Sequence, residues 1–217
     1  MKKIIFTLLI GFLSVAFVNG QTDQGTKYIG GNMSLGFGSS KFKVGGTTTD
    51  GPKTFNFGLN PAVGYFIADN FMVGLGIGFD LESIKEKDGS DESKSTTSAF
   101  NIGPFVRYYI MPTEKLGFFV NAGVGVGFGK IKNEITYDGT TVSNDKKLFG
   151  LGINVTPGIV IHITEKVAFE GTFGGLVFNS SSVKWTENDV DYKNNASGFA
   201  LDVNPSAFTF GLGFHIF

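Results

Sequence analysis

The stretch FMVGLGIGFD (71–80) alternates large apolar residues with glycine for most of its length. Glycine inside a strand costs about 0.5–1 kcal/mol relative to alanine, so its repeated use needs a return on the glycine side. The same habit recurs in NAGVGVGFGK (121–130), FGLGIN (149–154) and FGLGFHIF (210–217). A period of two is the mark of a strand whose two faces meet different surroundings.

Eight segments carry this alternation: 27–39, 54–67, 71–84, 96–110, 116–129, 147–163, 167–181 and 199–216. In the third, Phe71, Val73, Leu75, Ile77, Phe79 and Leu81 oppose Met72, Gly74, Gly76, Gly78, Asp80 and Glu82. In the fifth, Phe118, Val120, Val124, Val126 and Phe128 oppose Asn121 and a run of glycines. A water-soluble barrel would turn the large faces inward, but an eight-stranded barrel has room only to fill its centre or hold one small ligand. Turned inside out, the large residues meet lipid and the small ones line a narrow lumen. In lipid every backbone polar group must be paired internally, so the spanning sheet has to close. The fold predicted is all-β, an eight-stranded antiparallel up-and-down transmembrane β-barrel. On this reading, glycine leaves room for large inward side chains of neighbouring strands.

Composition agrees. The chain has 217 residues, with 24 phenylalanines and no cysteine, which excludes disulfides and zinc–thiolate sites. Residues 1–20 have a basic start (Lys2, Lys3) and an apolar run from Ile4 to Val18, the layout of a secretory signal peptide. The barrel domain is then 21–217. Loss of Lys2 and Lys3 from 18 basic residues leaves 16 against 19 acidic, a net charge of −3. With no basic patch in view, nucleic acid is not expected as a partner.

Short connections (ADN, MPTEK, TEK) join segments two to three, four to five and six to seven. The remaining stretches, 40–53, 85–95, 130–146 and 182–198, are polar and read as long loops. Asn and Pro recur in NPAVGYF (60–66), NIGPFVRYY (101–109), NVTPGIVI (154–161) and NPSAFTF (204–210), and each proline predicts a bulge. In the last, apolar parity switches from odd (Phe199, Leu201) to even (Phe208, Phe210) around Pro205.

Parity puts five charges in the lumen: Asp80, Glu82, Arg107, Glu170 and Asp202. They are expected to form a salt-bridged plug around Arg107, the only arginine, whose planar fork can hold two carboxylates. A polar channel or gate is the alternative. Tyr28, Tyr65, Phe66, Tyr108, Tyr109 and Trp185 near strand ends suggest interfacial aromatic girdles.

The signal peptide, the eight amphipathic strands, the hairpin NPAVGYFIADNFMVGLGIGF (60–79) and the terminal phenylalanine together resemble the small outer-membrane β-barrel family of Gram-negative bacteria, the OmpA/OmpX/OmpW-like group. The resemblance covers the whole mature chain and implies an outer-membrane location among lipid and lipopolysaccharide. It also implies that the last strand is recognised by the barrel-assembly machinery. Phe210, Leu212, Phe214, Ile216 and Phe217 would carry that signal, with the alternation one residue out of step with the final aromatic. It further implies that the short turns and both termini face the periplasm and the long stretches face outside.

Chemistry is sparse. His162 and His215 both fall near presumed periplasmic ends, without the serine and orienting carboxylate a hydrolase needs. KEKDGSDES (85–93) offers carboxylates without the spacing of a calcium loop. GVGVGFGK (123–130) continues a strand and opens no helix, so it is no phosphate loop. No catalytic residue, metal site or cofactor is expected. The functional expectation is a structural or surface-interaction barrel, with a narrow passive channel as the alternative and a lipid A-modifying enzyme behind both.

Overall fold

The computed structural model describes residues 21–88, 91–187, 189–202 and 208–217. The signal-peptide segment and the bulge expected at Pro205 lie outside them. The strands are β1 (Lys27–Val44), β2 (Thr47–Ala68), β3 (Phe71–Asp88), β4 (Asp91–Ile110), β5 (Leu116–Tyr137), β6 (Thr140–His162), β7 (Val167–Phe173), β8 (Gly175–Glu187), β9 (Val190–Asp202) and β10 (Phe208–Ile216). Every pairing is antiparallel, and β1, β2, β3, β4, β5, β6, β7 and β10 close into a ring of eight. No helix among the described residues is long and apolar enough to cross a membrane, which says nothing about strands.

The four polar stretches are not loops. They continue the ladders: β1 and β2 stay paired to Val44↔Thr47, and β5 and β6 to Tyr137↔Thr140. Their turns are two residues long, Gly45–Gly46 (φ 58° and 89°) and Asp138–Gly139 (φ 44° and 77°). Both central residues have positive φ, the left-handed geometry that matches strand twist. Asp-Gly is a strong hairpin signal; polarity masks it, because strands that stand in water on both faces lose their apolar alternation. About 9–11 tilted residues cross a bilayer, so strands of 22 and 23 residues carry hairpins well beyond it.

The seventh segment is also not continuous. It breaks at Gly174 and Gly175, both at positive φ (60° and 136°). Outward residues are odd in β7 (Phe169) and even in β8 (Leu176, Phe178), so the face switches there. The described parts of the eighth segment switch at the same level, since Phe173 pairs with Phe208 and Gly175 with Asp202. By contrast, Pro61 and Pro104 make no bulge. Register is unshifted across both, because each proline points outward and forfeits only its own ladder bond.

The ladder between β1 and β10 runs from Lys27↔Ile216 to Asn32↔Gly211. Above it, among the described residues, β1 pairs only with β2 and β9 only with β8. Among the described residues the wall is a closed ring at the short-turn end, and higher up β1 and β9 leave a seam between them.

Orientation follows the alternation. Leu75, Ile77, Phe79, Val124, Phe128, Leu151 and Ile153 are all exposed on the outer wall, while Met72 and Phe119 are buried inside. The glycines fall into two groups. A Cβ on Gly64 would sit 2.5 Å from the Met72 sulfur, and one on Gly158 would strike the Phe119 ring and, at 2.6 Å, the Gly171 carbonyl. On Gly76 and Gly127 it would meet nothing nearer than 3.8 and 3.7 Å. Glycine thus makes room for Met72 and Phe119 at the short-turn end, while higher up Gly76 and Gly127 border open space and Gly78 and Gly103 sit against neighbouring asparagine side chains and backbone. Gly158→Ala is expected to lower the detergent half-denaturation temperature. Gly76→Ala should hold it or raise it by the equivalent of about 0.5–1 kcal/mol.

Candidate functional site

At the short-turn end each strand of the ring sends an inward side chain into a common floor. Tyr28 (β1), Phe66 (β2), Met72 (β3), Tyr109 (β4), Phe119 (β5), Val160 (β6), Ala168 (β7) and His215 (β10) are all no more than 2% exposed. They arrive there because inward positions recur every second residue and all eight strands begin or end at this level. The turns lock the rim through backbone carbonyls: that of Asn70 accepts from the Tyr109 amide (2.8 Å), that of Lys115 from the His162 amide (2.8 Å) and that of Lys166 from the His215 amide (2.8 Å). Residues 22–26 add to it, with Gly25 donating to the Phe66 carbonyl at 2.9 Å and Asn70 to the Thr22 carbonyl at 2.7 Å.

Arg107 (β4) and Glu170 (β7) meet across the bore. Arg107 Nη1 donates to Glu170 Oε2 at 2.8 Å, and the side chains are 10% and 8% exposed. The Tyr28 hydroxyl donates to the same oxygen at 2.9 Å. Arg107 also donates to the Tyr109 hydroxyl at 3.1 Å and, through Nε, to Asn121 Oδ1 at 3.3 Å. Its guanidinium lies 4.4 Å from the Phe119 ring centroid and 5.3 Å from that of Tyr28. Charge, hydrogen bonds and aromatic faces are therefore all spent on one pair, which is what a buried ion pair requires.

The five lumenal charges expected from parity do not form one cluster. Arg107 and Glu170 come together. Asp80 lies higher, where it accepts from Asn101 Nδ2 at 2.9 Å, and Glu82 stands beyond it; both are exposed. Neither pairs with Arg107 among the described ion pairs, because the register sets Met72, not Asp80, opposite Arg107. Asp202 ends β9 opposite Gly175, and its side chain is outside the described set. The plug is a single pair below an acidic, water-reached lining.

The aromatic girdle divides in the same way. Tyr65 and Tyr108 stand on the outer wall at 46% and 52% exposure, but Tyr28, Phe66 and Tyr109 are floor residues. Trp185 faces inward as well, stacked on Tyr192 at 5.3 Å with Lys146 over its ring at 4.8 Å. Consecutive residues in a strand point to opposite faces, so Tyr65–Phe66 and Tyr108–Tyr109 cannot both be outward. The floor tyrosines were legible from that rule.

His162 and His215 also meet in the floor, ring centroids 5.1 Å apart. His215 Nδ1 donates to the Gln21 carbonyl at 2.6 Å, while its Nε2 and both His162 nitrogens have no partner among the described residues. No group of three metal-ligating side chains occurs among those residues. On β10, Phe210, Leu212, Phe214 and Ile216 all stand on the outer wall, and Phe217 follows them, 57% exposed.

The profile of the outer membrane protein β-barrel domain matches residues 5–215. Among solved structures, the outer membrane protein OprG from Pseudomonas aeruginosa is similar at 18% identity, with a TM-score of 0.51 over 91% of this chain and 99% of that one. Neisserial surface protein A (16%, TM-score 0.36, 88% and 99%) also matches. So does the attachment invasion locus protein Ail of Yersinia pestis (15%, TM-score 0.33, 89% and 99%). Curated proteins yield no match.

Proposed function

Since the chain belongs to the outer-membrane β-barrel family and resides in the bacterial outer membrane, we propose that it is a non-enzymatic barrel with a sealed floor that presents its tall hairpins for surface interaction. The observation that carries this reading is the Arg107–Glu170 pair at 2.8 Å, enclosed by Tyr28, Tyr109 and Phe119 at the one level where all eight strands are laddered. A solute passing along the axis would have to break that pair and part the rings. The short turns and the amino-terminal segment then face the periplasm and the hairpins face outside. The outward apolar row of β10 with Phe217 is the natural contact for the assembly machinery. Both histidines lie in the floor, away from the outer leaflet, which argues against lipid A chemistry.

A second reading, a passive conduit, is favoured by the seam between upper β1 and β9. A small solute entering the glycine-lined lumen could leave sideways above the floor. Planar-bilayer recording separates axial conduction from the sealed reading. The wild-type barrel is expected to give no stepwise conductance, and the Arg107→Ala/Phe119→Ala variant, refolded and heat-modifiable, is expected to give small steps. Steps in the wild type would overturn the sealed floor; faster uptake of a small apolar solute by liposomes with the barrel than by protein-free liposomes, without such steps, would favour the seam.

A further inference from the structure

One row of like charge crosses the outer wall near the hairpin end. Lys130 on β5 pairs with Lys147 on β6, Lys147 with Lys184 on β8, and Lys184 with Lys193 on β9. Directly paired residues point to the same face, and parity with Phe128, Phe149, Phe178 and Phe199 makes that face the outer one. Four like charges therefore stand side by side on strands about 4.8 Å apart. Like charges directly opposite each other destabilise a sheet, a cost that an anion bridging them would relieve.

The protein supplies little. Lys130 reaches Asp145 at 3.5 Å, and Asp191 accepts from Thr186 at 2.7 Å. Lys147, Lys184 and Lys193 have no ion-pair partner among the described residues. The row's position indicates the missing anion. Two residues below Lys130 and Lys147 are Phe128 and Phe149, rings 5.5 Å apart and exposed, at the top of the apolar wall. Lys130 and Lys147 can lay their stems on that wall and lift their ammonium groups to the level of lipid headgroups, and Lys184 and Lys193 continue the row above Ser182 and Asn195.

We propose that Lys130, Lys147, Lys184 and Lys193 form a docking row for the phosphate groups of an anionic lipid of the outer leaflet, bridging neighbouring lysines and relieving their repulsion. Lysine suits this role, being a compact point charge able to follow a mobile phosphate. The assignment to the outer leaflet rests on the hairpin end facing outside; the binding itself does not.

The test compares vesicles of phosphatidylcholine alone with vesicles containing bis-phosphorylated lipid A or its dephosphorylated form. The readout is the temperature at which the folded band is lost on gels. Bis-phosphorylated lipid A is expected to raise that temperature, and the rise should shrink in high salt. In Lys147→Gln/Lys184→Gln/Lys193→Gln at least half of the rise should vanish; the matching Lys→Arg variant should keep it, as should Lys27→Gln/Lys166→Gln at the far end. Native mass spectrometry of the refolded barrel should show fewer retained lipid A molecules in the glutamine variant, which scores the proposal even if its stability changes. An undiminished rise in the glutamine variant, an equal rise with dephosphorylated lipid, or an equal rise from free inorganic phosphate would overturn it. None of these outcomes touches conductance, so the sealed-floor reading stands or falls separately.

Discussion

Arg107→Ala is expected to destabilise the barrel by about 3–5 kcal/mol, because it leaves Glu170 charged and unpaired in a buried site. The loss is read from reversible urea unfolding in vesicles or from the shifted half-denaturation temperature of the heat-modifiable band. Glu170 would retain only the Tyr28 and Tyr109 hydroxyls, at 2.9 and 3.5 Å. The cavity would also strip the cation from the Phe119 face. A cycle adding Glu170→Gln gives the interpretation. If the cost is mostly the stranded carboxylate, Arg107→Ala/Glu170→Gln should be more stable than Arg107→Ala alone. A loss of under 1 kcal/mol in Arg107→Ala would mean that the floor is held by its aromatic rings and not by the pair.

Val124→Lys is expected to cost about 2–4 kcal/mol in a bilayer. Val124 is half-exposed in the middle of β5, directly opposite Ile153. In a water-soluble protein an exposed valine could become lysine with an effect within about 0.5 kcal/mol. Here its surroundings are acyl chains, and the ammonium group sits too far from either interface to escape. The matched change Gly127→Ser, three residues on and facing the lumen, should cost less than 1 kcal/mol because its Cβ meets nothing closer than 3.7 Å. Equal effects at the two positions would overturn the inside-out orientation.

Much of the architecture was readable without coordinates. The alternation in FMVGLGIGFD assigned faces residue by residue, and those faces hold through β3, β5 and β6. Parity also placed Arg107 and Glu170 inside, and both are buried. The polar stretches read as loops because two-residue turns such as Asp138–Gly139 are defined by backbone φ, which polar composition hides. Pro61 and Pro104 mark no bulge, since a missing amide on an outward residue interrupts a ladder without shifting its register.

What the sequence alone determined is therefore local: strand period, which side chains share a face, and the need for a lipid-facing wall. A period of two is a property of each strand by itself. Which inward residues touch across the bore depends on how far successive strands slip as the sheet closes. Only that stagger brought Arg107 to Glu170 while leaving Asp80 and Glu82 above, and only the inter-strand register lined up Lys130, Lys147, Lys184 and Lys193. Closure couples strands that are distant in the chain, and no window of sequence contains that information.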